Sequence, residues 1–123
     1  MADHHRHQYL EVSEHGRTVA AAEVIISGQP GGIARVSLRA ESGHITPGRR
    51  ARLVDAVLDL PQVRESTRLE VAFPVGDSES LHRLQERCED VRTRPAGGSA
   101  LLDANLPSGS AGSTTQEPAG QNS

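Results

Sequence analysis

Gly48, Arg49, Arg50 and Arg52 are the residues whose types and spacing most directly suggest chemistry. They follow Thr46-Pro47, which reads as an N-cap and a proline at the first helical position. A helix N-terminus carries partial positive charge and free N–H groups, so each cation placed there costs about 0.3–1 kcal/mol. Three arginines against that gradient suggest a ligand-binding spot for an anion, with guanidinium forks and backbone N–H groups both aimed at a phosphate or carboxylate. The competing reading is that the long side chains lean away to Asp55, Asp59 or other surface acids.

Other reactive residues are scattered. His4, His5 and His7, with Asp3, have the chemistry of weak transition-metal ligands, but a loose terminus offers no second shell. No metal site is expected. His15 and His44 fall in loops and His82 on an exposed helix position, without a nucleophile at a telling spacing. Cys88 shares an apolar stripe with Leu81 and Leu84, which reads as a buried structural thiol. Glu89 and Asp90 beside it would raise its pKa and blunt it as a nucleophile. Neither G-x-S-x-G, a Walker A loop nor G-x-G-x-x-G occurs. All 13 basic side chains are arginine, so no lysine is present to form a Schiff base.

The 123 residues amount to one domain at most, with a formal net charge of −3. Aromatic residues make up 2%, Tyr9 and Phe73, so the core must be small and aliphatic. No apolar run approaches the ~18 residues of a membrane span. No secretory leader is visible, and one cysteine makes no internal disulfide. The expected address is cytoplasmic. Arg35 and Arg39 form a basic stripe, but without neighbouring aromatics they make no nucleic-acid platform; pairing with Glu11 or Glu23 accounts for them.

The elements that must position these residues follow from hydrophobic period. Residues 8–13 and 18–27 read as strands joined by a turn at Glu14-His15-Gly16-Arg17. The second has apolar residues on both faces, which suggests a strand covered on both sides. Gly28 to Gly32 is a loop, and 33–40 alternates with Ala34, Val36, Leu38 and Ala40 inward. Leu53, Val54, Val57 and Leu58 recur at helical spacing, predicting a helix over 47–60 that Pro61 ends. Residues 68–73 alternate again. Asp77 or Ser78 caps a second helix over 78–90, and 91–94 and 99–104 are short strands. The order is β-β-β-α-β-α-β-β. A strand, crossover helix and next strand form a right-handed parallel unit, so 33–40 and 68–73 should lie parallel in a mixed sheet.

That order and two local sequences resemble the Gcn5-related N-acetyltransferase (GNAT) superfamily, as a truncated, degenerate GNAT-like domain. One is Gly43-His44-Ile45-Thr46-Pro47-Gly48-Arg49-Arg50 between a strand and a Leu/Val-rich helix, the junction where the family seats an acetyl-CoA pyrophosphate. The other is Leu69-Glu70-Val71-Ala72-Phe73 followed by the helix from Ser80 to Cys88. The family's two early helices have no room at Gly16. Its phosphate loop, Gln/Arg-x-x-Gly-x-Gly/Ala, meets Ile45 at the first position and Arg50 at the last, where a small residue lets backbone approach phosphate. Its frequent catalytic tyrosine falls at Gln85, which cannot donate a proton.

The expected fold is α+β with a GNAT-like mixed sheet: a flexible N-terminus over 1–7, a single domain over 8–106 and a disordered C-terminal tail over 107–123. The leading function is a small soluble non-catalytic binding or interaction module, with an anion at the Gly48–Arg52 helix start, no assigned catalytic residue and no cofactor. Its partner would be an unknown protein, or itself through a sheet edge, with no nucleic acid and no membrane. The alternatives are a CoA-dependent N-acetyltransferase using acetyl-CoA, and a structural or assembly protein acting as a dimer.

Overall fold

The computed structural model describes residues 6–27, 31–40 and 45–107. The expectations for Asp3, His4, His5, His44, most of the Gly28–Gly32 loop and the tail after Pro107 lie outside the described residues. Six strands form one mixed sheet: β1 (Arg6–Glu14), β2 (Arg17–Ile26), β3 (Ile33–Ala40), β4 (Arg68–Pro74), β5 (Glu89–Ala96) and β6 (Ser99–Asn105). Their spatial order is β1-β2-β3-β4-β6-β5. The helices are α1 (Arg49–Leu58), the short α2 (Pro61–Arg64) and α3 (Ser78–Arg87).

β1 and β2 are joined at His15-Gly16, both with positive φ (54° and 78°), the backbone twist that matches a tight hairpin. β3 and β4 run parallel, as the α1 crossover requires; every other neighbouring pair is antiparallel. Period-two alternation puts one row of side chains on the helix side. Val24, Val36, Val71 and Leu102 lie in register across four strands, each buried. Leu53, Val54, Val57 and Leu58 of α1, Val63 of α2, and Leu84 with Cys88 at the end of α3 close over them.

The other face of β2 is not covered on both sides as its sequence suggests. Glu23 is exposed and Ile25 is 40% exposed, because the helices pack on one face only. Ala21 on that face is buried nonetheless, flanked in register by Glu11 and Arg39. Two further boundaries shift. Pro61 does not merely end α1: after an extended Leu60 it opens α2, for which proline is suited at the first position. The last helix stops at Arg87, and β5 begins at Glu89 with a bulge around Asp90, whose φ is 54°. No helix of the described residues is long and apolar enough to cross a membrane.

Candidate functional site

The site begins where β3 and β4 part. Their pairing runs from Ile33↔Arg68 to Ser37↔Ala72 and stops there. β3 continues to Ala40 in register with β2, and β4 continues to Pro74 in register with β6. Each strand keeps its outer neighbour while the ladder between them ends, leaving an unpaired stretch, the fork. The facing edges of Leu38–Ala40 and Phe73–Pro74 are out of the ladder. On the helix side an apolar seam lined by Val36, Leu38, Val54, Val57, Val71 and Leu84 runs under the fork. On the open face a groove of about 340 Å³ lies beside the last pair, with Ala72 and Leu101 in its floor and Arg35, Glu70, Asp103 and Arg94 around it.

α1 is the next element after β3 in the chain. Its N-cap is Gly48 (φ 95°), not Thr46, and the helix begins at Arg49. Pro47 and Gly48 are the central residues of a turn closed by Arg49 N–H donating to the Thr46 carbonyl at 3.2 Å. Proline first and a positive-φ glycine second is the type II pattern. That geometry removes Thr46 as a local cap, so α1 has no cap from its own side chains. The cap comes from α3. Glu79 Oε2 accepts from Gly48 N–H at 3.0 Å and Ala51 N–H at 2.8 Å.

Sequence spacing brought Gly48, Arg49, Arg50 and Arg52 together, and the structure shows what each faces. Arg49 Nε donates to Glu14 Oε2 at 3.0 Å. Arg50 Nη1 lies 3.1 Å from Asp77 Oδ1. Arg52 is exposed. The Thr46 hydroxyl, and after it Arg49, hold the Glu14 carboxyl below its usual range against the opposing effect of burial. Asp77 is buried and caps α3 as expected: it accepts from Ser80 N–H at 3.1 Å and from Ser80 Oγ at 2.7 Å. The carboxylates at the start of α1 are therefore Glu14, Asp77 and Glu79, rather than the Asp55 or Asp59 that sequence proximity offered. Glu79 carries no local signal of its role, because it lies 28 and 31 residues from its donors.

Asp55 and Asp59 serve instead to tie α1 to α3. Arg83 grips Asp55 through Nε and Nη2, both at 2.8 Å. Arg87 reaches Asp55 at 3.0 Å and Asp59 at 2.9 Å. Hydrogen bonding to Arg83 holds the Asp55 carboxyl low, against partial burial and with help from Arg87.

The remaining candidates are dispersed. Gln85 and His82 are exposed on α3, and His15 sits in the first turn. Burial pushes the Cys88 thiol up to about 11; Glu89 and Asp90 are not the cause, and Arg87 acts the other way. On the open face Arg35 pairs with Glu70 at 3.1 Å, not with Glu11 or Glu23. Arg39 donates to the Tyr9 hydroxyl at 3.2 Å. Glu23 holds His7 at 2.9 Å. Among the described residues, no group of three or more His, Cys, Asp or Glu could hold a metal ion.

No protein-family model matches the chain, and no curated protein does. Solved structures do. A GNAT-family acetyltransferase from Streptococcus pneumoniae aligns with 81% of this chain and 66% of its own, at 12% identity and TM-score 0.57. The Salmonella typhimurium protein yncA, with its cofactor acetyl-CoA, aligns with 81% of this chain and 64% of its own, at 14% identity and TM-score 0.57. A ribosomal-protein-alanine N-acetyltransferase from Brucella melitensis gives 82% and 69%, at 13% identity and TM-score 0.55. The chain thus spans about two thirds of the length of these structures. With six described strands in this order and a parallel pair whose ladder ends at Ser37↔Ala72, the chain has the fold of the Gcn5-related N-acetyltransferases.

Proposed function

We propose that this domain transfers an acyl group from a pantetheine-type thioester, acetyl-CoA foremost, to an acceptor that approaches on the open face of the sheet. The fork between β3 and β4 carries the reading. An extended arm bearing amides pairs with an exposed strand edge as an added strand does, and the edge of Leu38–Ala40 is such an edge. Under it, the apolar seam keeps water away from the arm. The groove beside Ala72 gives an acceptor access from the opposite side.

The unpaired edge of β3 supports the thioester-arm reading, since it leaves backbone groups for the arm's amides to meet. The start of α1 does not fit a diphosphate, since Glu79 already takes the Gly48 and Ala51 N–H groups. The bound carrier supplies an activated acyl carbon. The chain's part is to align that carbon with the acceptor and exclude water, a contribution of positioning. Gln85 cannot protonate a departing thiolate, and the buried Cys88 thiol is no nucleophile near neutral pH.

Thermal melting with and without millimolar acetyl-CoA tests the proposal. A ligand at 100 times its Kd stabilises the native state by about 2.7 kcal/mol, a readily measured rise in Tm. An unchanged Tm, with no acetyl transfer to a panel of amines followed by mass spectrometry, removes the reading. A second reading is a binding module without transfer, for which the exposed Gln85, unable to protonate a departing thiolate, speaks. Carrier binding without any acetyl transfer would support it.

A further inference from the structure

The geometry points to Glu79 as the residue that decides which carriers the fork accepts: its carboxylate stands where a carrier phosphate would, so binding draws on the thioester arm and gains nothing from a diphosphate. The inference rests on the thioester reading above. A helix start is a ready place for an anion because its first N–H groups lack partners. Here two of those groups share one oxygen of Glu79, at 3.0 and 2.8 Å. In the native chain the start of α1 is therefore no ligand site.

Charge makes the closure firmer. Two of the three arginines at this end are already paired, Arg49 with Glu14 and Arg50 with Asp77, while Arg52 is exposed. An incoming diphosphate finds most of the local positive charge already taken. It also meets a carboxylate bonded to the donors it needs. The carboxylates are held in place. Asp77 is 4% exposed and bonded to both the amide and hydroxyl of Ser80 as well as Arg50, which fixes the first turn of α3 that carries Glu79.

The test compares CoA with pantetheine by calorimetry, on the full chain and on Glu79→Ala and Glu79→Gln. Glutamine keeps an acceptor for the α1 N–H groups, so it covers the case in which alanine leaves the helix too frayed to fold. The native chain should bind CoA and pantetheine within a few-fold of each other. Glu79→Ala, which frees both N–H groups, should come to prefer CoA by about tenfold or more, the size of one charge-assisted contact, and Glu79→Gln, which removes only the negative charge, should shift the same way by less. A native chain that already prefers CoA by tenfold overturns the role of Glu79 while leaving the thioester reading intact. If no form binds either compound, the thioester reading falls, and pyrophosphate alone decides the rest. Shifts of the Gly48 and Ala51 amides by NMR in the variants, but not in the native chain, support the carboxylate's role; flat amides in every form overturn it.

Discussion

Gly48 shows how one residue can set a helix start without any side chain of its own. A side chain added there would meet no atom within 4 Å, so its requirement is conformational: φ of 95° is open to glycine and costly to others. Gly48→Ala should destabilise the fold by about 1–2 kcal/mol, the cost of a left-handed residue with a side chain, and chemical denaturation measures it. Cys88 is the opposite case, governed by surroundings. At 9% exposure and with its pKa raised to about 11, it should resist iodoacetamide at pH 8 in the native protein and react promptly once unfolded. Rapid alkylation of the folded chain would contradict its burial.

At the scale of elements, α1 and α3 are tied at two places, by Asp77 and Glu79 at the start of α1 and by a network of Arg83 and Arg87 with Asp55 and Asp59 further along. Asp55 is its centre. Its folded pKa lies below the ordinary 3.8, so its contribution to stability is complete above that value and is lost as pH falls through the lowered one. Asp55→Asn should reduce stability by about 1 kcal/mol at neutral pH. The gap between native and variant should close on acidification below about pH 4, which urea melts across that range will follow. A constant gap would mean that packing, not charge, is lost.

The elements also show what the sequence could and could not convey. β3 was legible to the residue, because Ala34, Val36 and Leu38 alternate strictly with Arg35, Ser37 and Arg39. Asp77 was legible because an N-cap is a local device. The start of α1 was misread in a local way: Thr46-Pro47 has the form of a cap, but the turn at Pro47-Gly48 pushes the helix two residues on. Val63, fully buried on α2, was hidden behind a proline taken as a stop. Glu79 could not be found at all, since its partners come from another helix.

For the whole molecule, the described residues clothe the sheet on one face only. The uncovered face carries Tyr9, 51% exposed, and Ile25 among polar pairs such as Arg35–Glu70 and His7–Glu23. The alanines and isoleucines of β2 gave no sign of this, because small or branched apolar residues suit a covered strand and a half-bare one alike. The fork and the two helices belong to one mechanical system. α1 leaves the end of β3, α3 leaves the end of β4, and the arginine clamp joins the two across the gap. Prising the strands further apart must therefore stretch those bonds. Ionic strength, which weakens half-exposed charge pairs, becomes a dial on how wide the cleft can yawn.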